Sequence, residues 1–300
     1  MPSGALLAFD IRYRVLRKSM KKLFLCCVAL YFCAPLHVNA SEPPLELHGE
    51  FIQGGLIRGH TVPDAVISLD GRKLRVSPQG AFVFGFGRDA PPRAELHIAS
   101  PHTQPLVKIL DIDARQYREQ RIDKLDERKV NPTSQDLERI RRESAQIALA
   151  RTRNDARVDF LGEFIWPVHG IITGVYGSRR ILNGQPRRPH FGVDIACKEG
   201  VQVKAPAAGV VTFIHRDMFF SGATLVLDHG HGVSSTFLHL RNIPVKKGER
   251  VGRGQVIAEV GASGRVTGAH LDWRINWFKQ RLDPALLVGD MPPPSPDCLA

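Results

Sequence analysis

Aromatic side chains make up only 7% of the 300 residues, and the chain holds just five cysteines. Long apolar runs are almost absent. The most extended one, Leu23 to Leu36, is broken by Pro35 and falls short of the roughly 20 residues a spanning helix needs, so no permanent membrane anchor is expected. No segment repeats at a fixed period, which excludes a solenoid or array. What is present is 43% apolar and 24% charged residues, the composition of a folded soluble protein rather than a disordered chain or a fibre. Glycine (27) and proline (21) supply many turns and point to strands more than to a helical bundle. The chain reads as mainly β.

The formal charge of +11 invites a nucleic-acid reading. Its placement argues otherwise. The first forty residues contribute +5, through Arg12, Arg14, Arg17, Lys18, Lys21 and Lys22 against Asp10. The remainder is moderately basic and shows no DNA-binding motif, so no nucleic-acid partner is expected. Lys21 and Lys22 precede the apolar run, and Val38-Asn39-Ala40 places small residues where a signal peptidase reads them. Residues 1–40 therefore read as a secretory signal peptide cleaved after Ala40, with Met20 as an alternative start, and the mature protein as periplasmic or secreted. Cys26, Cys27 and Cys33 fall in that leader. The remaining Cys197 and Cys298 either pair, tying the Pro-rich tail to the body, or stay as two free thiols.

From residue 41 to 112, short alternating runs (Ile67 and Leu69; Leu74 and Val76; Phe82, Phe84 and Phe86; Leu96 and Ile98) surround turn dipeptides such as Asp70-Gly71. Period two with intervening turns predicts a small β-sandwich-like module. His48, His60 and His97 are scattered there and read as solvated. Residues 113–160 turn to alternating charge, and Thr133-Ser134-Gln135-Asp136 before Leu137, Ile140, Ile147 and Ala148 predicts a helix start with a narrow apolar stripe. Such a charged helical connector is expected to space two domains, with lying over a cleft as the alternative. β patterning returns over residues 161–287, and 288–300 read as a flexible Pro-rich tail.

Histidine and aspartate concentrate in four elements of this second β domain: His190-Phe191-Gly192-Val193-Asp194, Asp228-His229-Gly230-His231, Phe237-Leu238-His239-Leu240 and His270-Leu271-Asp272-Trp273. On a strand His270 and Asp272 share a face. His190 and Asp194 flank a glycine after Pro189, which fits a loop entering a strand. Neutral imidazole and carboxylate suit Zn²⁺, and three such ligands leave an open position for chemistry. Each pair alone is a weak signal.

The ordered text of the domain resembles the LytM/lysostaphin-type zinc metallopeptidases, which cut peptide bridges of bacterial peptidoglycan. The resemblance runs from about Trp166 to Trp273. It rests on Pro167-Val168-His169-Gly170, Tyr176-Gly177-Ser178-Arg179, the H-x-x-x-D element at His190 and Asp194, Val203-Lys204-Ala205-Pro206, Asp228-His229-Gly230, His239-Leu240, Val245-Lys246-Lys247-Gly248, Gly261-Ala262-Ser263-Gly264 and Thr267-Gly268-Ala269-His270. It implies His190 and Asp194 as zinc ligands and His239 and His270 as catalytic residues. The family closes with H-x-H, whose second histidine is the third ligand; this chain has Asp272 there. The implied metal set is thus His190, Asp194 and Asp272, holding one Zn²⁺ per chain. Two carboxylates neutralise the cation more fully than one, so the metal is expected to be less Lewis-acidic. The resemblance implies a zinc endopeptidase acting on peptidoglycan stem peptides and cross-links. Its alternative is a degenerate module without hydrolase activity that recruits or activates other cell-wall enzymes. His229 is expected to serve a turn, and His231, His169 and His215 to be exposed. Ser178-Arg179-Arg180 to Arg187-Arg188 reads as a basic loop able to meet stem-peptide carboxylates.

Overall fold

The computed structural model describes residues 41–101 and 103–299, so the leader expected over 1–40 lies outside the described residues. Among the described residues no helix is long and apolar enough to cross a membrane. The amino-terminal strands are β1 (Glu46–His48), β2 (Leu56–His60), β3 (Val66–Leu69), β4 (Arg72–Lys73), β5 (Ala81–Gly85), β6 (Arg93–Ala99) and β7 (Leu106–Asp111). They form two antiparallel sheets, ordered β1-β2-β5 and β4-β3-β6-β7. Alternation decides which side chains go inside. On β6 Ala94, Leu96 and Ile98 are buried and their neighbours exposed, whereas every residue of β5, including Phe82 and Phe84, is buried because both of its faces are covered. His48, His60 and His97 are exposed, as expected.

After this module come β8 (Glu119–Ile122), α1 (Glu127–Val130) and α2 (Ser134–Ala150). Thr133 caps α2: its hydroxyl accepts from the Asp136 backbone N–H, and the Asp136 carboxylate accepts in return from the Thr133 backbone. The connector is not the inert spacer that its charge pattern suggests. β8 runs parallel to β10 (Arg179–Leu182), the Lys129 ammonium donates to the Phe219 carbonyl at 2.6 Å, and Glu143 accepts from the Phe219 N–H at 2.8 Å. Leu137 and Leu149 of the apolar stripe remain exposed while Asp136 and Glu143 are buried. Hydrogen bonds and ion pairs, not the stripe, dock this segment.

The second β region contains β9 (Ile171–Gly174), β10, β11 (Gln185–Arg187), β12 (Val193–Ala196), β13 (Gln202–Lys204), β14 (Gly209–Met218), β15 (Gly222–Gly230), β16 (Val233–Leu240), β17 (Arg250–Val251), β18 (Val256–Glu259), β19 (His270–Trp277) and β20 (Gln280–Leu282). Eight of them build one antiparallel sheet, ordered β17-β14-β15-β16-β19-β12-β9 with β20 on the free part of β19. On β19, Leu271, Trp273, Ile275 and Trp277 point into the core, where Trp273 meets Trp166 edge-on at 5.8 Å. His270, Asp272, Arg274 and Asn276 therefore occupy the opposite face. Burial of each large apolar side chain contributes roughly 1.5–3 kcal/mol, so the polar row rests on a rigid floor.

Residues 42–300 form one compact unit. Arg72 of the first module lies 4.2 Å over the rings of both Trp277 and Phe278, and Arg115 pairs with Asp283 at 2.7 Å. The tail, expected to be flexible, is seated: Ser295 donates to the His169 carbonyl, Trp166 Nε1 to the Gly289 carbonyl, and Cys298 is bonded to Cys197. The bond closes a sequence separation of 101 residues, for which chain entropy predicts a stabilisation of about 2–5 kcal/mol. A Cys298→Ala variant should accordingly lose about that much in urea titrations and show one reactive thiol. Unchanged stability would mean that the covalent tie adds nothing to the non-covalent seating.

Candidate metal centre

His190 sits in the loop that enters β12, and its position is fixed from behind. The Gly177 N–H donates to the His190 carbonyl at 2.8 Å and the His190 N–H to the Ser178 carbonyl at 2.9 Å. Gly177 has φ +82°, and a Cβ there would lie 2.0 Å from the Tyr117 ring, so the Tyr-Gly-Ser element needs its glycine. Gly192 is required for another reason. A Cβ at that position would meet Asp272 Oδ1 at 2.5 Å, so only glycine lets this loop press against β19.

The register of β12 on β19 sets Asp194 directly opposite Asp272. Two carboxylates facing each other across a ladder repel, and both are buried, with 6% and 1% of their surface exposed. The arrangement calls for cationic charge between or beside them. His190 Nε2 lies 3.1 Å from Asp194 Oδ1, His270 Nε2 lies 3.9 Å from the same oxygen, and ligand atoms of His190, Asp194 and Asp272 all fall within 4.8 Å of one another. Both ring nitrogens of His190 and Asp194 Oδ1 are sealed from solvent without a hydrogen-bond partner among the described residues. Buried polar atoms left so are expensive. A divalent cation fits them, since imidazole and carboxylate are its ordinary ligands.

Asp272 is less free. Arg274 donates to it from Nε at 2.9 and 3.1 Å and from the terminal nitrogen at 2.5 Å, while Arg180 donates to Asp194 Oδ2. Burial pushes both carboxyls up, but the basic side chains facing them outweigh it and hold both below the usual range. Around Asp194 these are His190, then Arg180 and His270; around Asp272, Arg274 and then His190. Sequence reading offers the Arg180 loop to stem-peptide carboxylates and gives neither Arg180 nor Arg274 a carboxylate partner within the chain. Arg274 was detectable, because it lies two residues beyond Asp272 on the same strand face. Arg180 was not, because it reaches Asp194 from a hairpin, β10–β11, where a loop is expected.

His239 and His270 stand together, with ring centroids 4.8 Å apart. His239 Nδ1 faces the Ser263 carbonyl at 2.7 Å and His270 Nδ1 faces the Gly268 carbonyl at 2.9 Å. A carbonyl can only accept, so each Nδ1 carries hydrogen and Nε2 is the ring nitrogen left over for other partners. His239 has φ +62°, a strained conformation for a side chain of this kind. Burial and then the neighbouring His270 lower its pKa to about 4, which keeps the ring neutral near pH 7.

The other histidines separate clearly. His229 is a satisfied core residue, bonded to the Ala208 carbonyl and the Ser235 hydroxyl. His231, expected to be exposed, is instead 2% exposed and packs on Phe160 at 4.9 Å. The end of the connector covers it, with the His231 N–H donating to the Asp155 carbonyl. His169 is exposed and His215 half-buried.

Comparison with known proteins follows the same outline. Residues 188–284 match Peptidase family M23. A Vibrio cholerae protein named Peptidoglycan DD-endopeptidase ShyA is 41% identical over 87 residues, 29% of this chain and 20% of that protein. DD-carboxypeptidase/endopeptidase Mpg of Neisseria meningitidis is 35% identical over 125 residues, 42% of this chain and 29% of that protein. The crystal structure of a putative peptidase M23 from Pseudomonas aeruginosa superposes with a TM-score of 0.60 at 29% identity, covering 79% of this chain and 95% of that one. The chain thus carries a LytM-type domain of Peptidase family M23 in a mainly β protein. It spans less than a third of the length of these two curated relatives.

Proposed function

We propose that the protein is a zinc-dependent endopeptidase that hydrolyses peptide cross-links of bacterial peptidoglycan. The observation that carries this reading is the convergence of the orphaned His190 nitrogens, Asp194 Oδ1 and Asp272 beside two histidines with free Nε2 atoms. His190, Asp194 and Asp272 would hold the ion. When bound, it supplies Lewis-acid polarisation of a carbonyl and lowers the pKa of water. The neutral His239 ring accepts a proton at Nε2, and His270 Nε2 delivers or holds one at the leaving group or oxyanion. Their backbone bonds to Ser263 and Gly268 keep both tautomers fixed. A location outside the cytoplasm is supported by the Cys197–Cys298 bond, since disulfides persist in oxidising compartments.

A second reading has its own support. Arg180 and Arg274 already balance the two carboxylates, as they would in a metal-free binding module that recruits other cell-wall enzymes. Incubation of purified protein with sacculi and zinc separates the two. New muropeptides are expected, and they should vanish with chelator. No release, with or without zinc, would leave only the binding module.

A further inference from the structure

The polar face of β19 continues past the metal centre. Cross-strand pairing sets Thr236 opposite Arg274 and Ser234 opposite Asn276. Onto this row come two more guanidiniums. Arg281 of β20 donates to Asn276 Oδ1 at 2.6 Å, and Arg151, at the end of α2, donates to Thr236 Oγ1 at 3.2 Å. Neither pairs with a carboxylate among the described residues. Three guanidiniums, Arg151, Arg274 and Arg281, thus share the single carboxylate of Asp272, which Arg274 already holds. Arg151 Nε and Ser234 Oγ, moreover, are sealed from solvent with no partner among the described residues. Burial and then mutual repulsion lower Arg281 to about 10 and push Arg151 well below its usual value. Arginine stays charged in proteins, so like charges held together without a counter-ion mark a place where an anion belongs.

We propose that Arg151 and Arg281 form a carboxylate-binding subsite for the peptide substrate. This deepens the endopeptidase reading and rests on it. Planar guanidiniums match a carboxylate bidentately. Residues two apart on a strand are about 7 Å apart, so Arg274 stands about 7 Å and Asn276 about 13 Å beyond Asp272. An extended peptide advances about 3.3 Å per residue. The recognised carboxylate therefore sits two to four residues from the bond held at the metal centre. The substrate class is a stem peptide with a free carboxylate at that spacing. An amidated peptide is selected against.

Two titrations test this on the full protein carrying His190→Ala, which separates binding from turnover: an N-acetylated stem tetrapeptide with a free terminal carboxylate, and its terminal carboxamide. The free acid should bind at least about tenfold tighter. Arg281→Met should abolish the difference and Arg281→Lys restore part of it. Arg281→Met also takes the donor from Asn276 Oδ1, so a melting curve accompanies each titration, and the partial recovery in Arg281→Lys tells lost discrimination from misfolding. In the active enzyme amidation should raise KM more than it lowers kcat. Equal affinity for the two peptides overturns the subsite even if sacculi are hydrolysed, as does equal binding of acetate alone. Discrimination without any hydrolysis leaves the subsite standing and removes the endopeptidase reading.

Discussion

A His239→Ala protein should keep its metal and lose its chemistry, with muropeptide release from sacculi falling by about 10²–10⁴-fold. The direction follows from the geometry. His239 is strained at φ +62°, is held neutral, and directs Nδ1 to the Ser263 carbonyl so that only Nε2 is left to take a proton. None of the three convergent ligand atoms belongs to it. Metal content measured beside initial rates checks both halves. A rate within threefold of the parent protein would remove His239 from the reaction, and a parallel loss of metal would reassign it as a ligand. Relief of backbone strain by Gly at this position should raise thermal stability while abolishing activity, a combination that a purely structural histidine would not give.

Arg274→Met should destabilise the metal-free protein by about 3–5 kcal/mol, because removal of one partner leaves a buried carboxylate unpaired. Asp272 would then face Asp194 across the ladder with no guanidinium bonded to it. Zinc should repair much of that loss, so the rise in melting temperature on adding zinc is expected to be larger in Arg274→Met than in the parent. The reason is competition: Arg274 holds the Asp272 carboxylate that a bound cation would need. Differential scanning calorimetry with and without zinc checks the sign. If zinc stabilises the variant no more than the parent, Asp272 does not contribute a ligand and Arg274 is its permanent partner.

Much of this was written in the sequence at short range. Strand alternation placed Leu271 and Trp273 in the core and His270 with Asp272 on the other face, and the Thr133–Asp136 capping box marked the start of α2. Such signals are legible because each depends on neighbours within a few residues. The roles of Arg180 and Arg274, the burial of His231 and the docking of the connector depend on partners 14 to 90 residues away or on a face shared with Asp272. The connector misled for a physical reason. Its charges resemble a solvated face, yet Asp136 and Glu143 are buried because Arg128, Arg139 and the Phe219 backbone satisfy them. The cysteine pair lay between these cases: its two thiols left pairing open, and only the path of the tail over His169 brings them together.

The proposed chemistry rests on one ion that β12, its preceding loop and β19 would hold between them. Elemental analysis of protein purified without chelator and dialysed against micromolar zinc tests that most directly. The account predicts close to one zinc per chain for the parent and less than about a tenth of that for His190→Ala, since the alanine removes an imidazole ligand. A parent protein that stays empty, or a variant that binds as much as the parent, would contradict it.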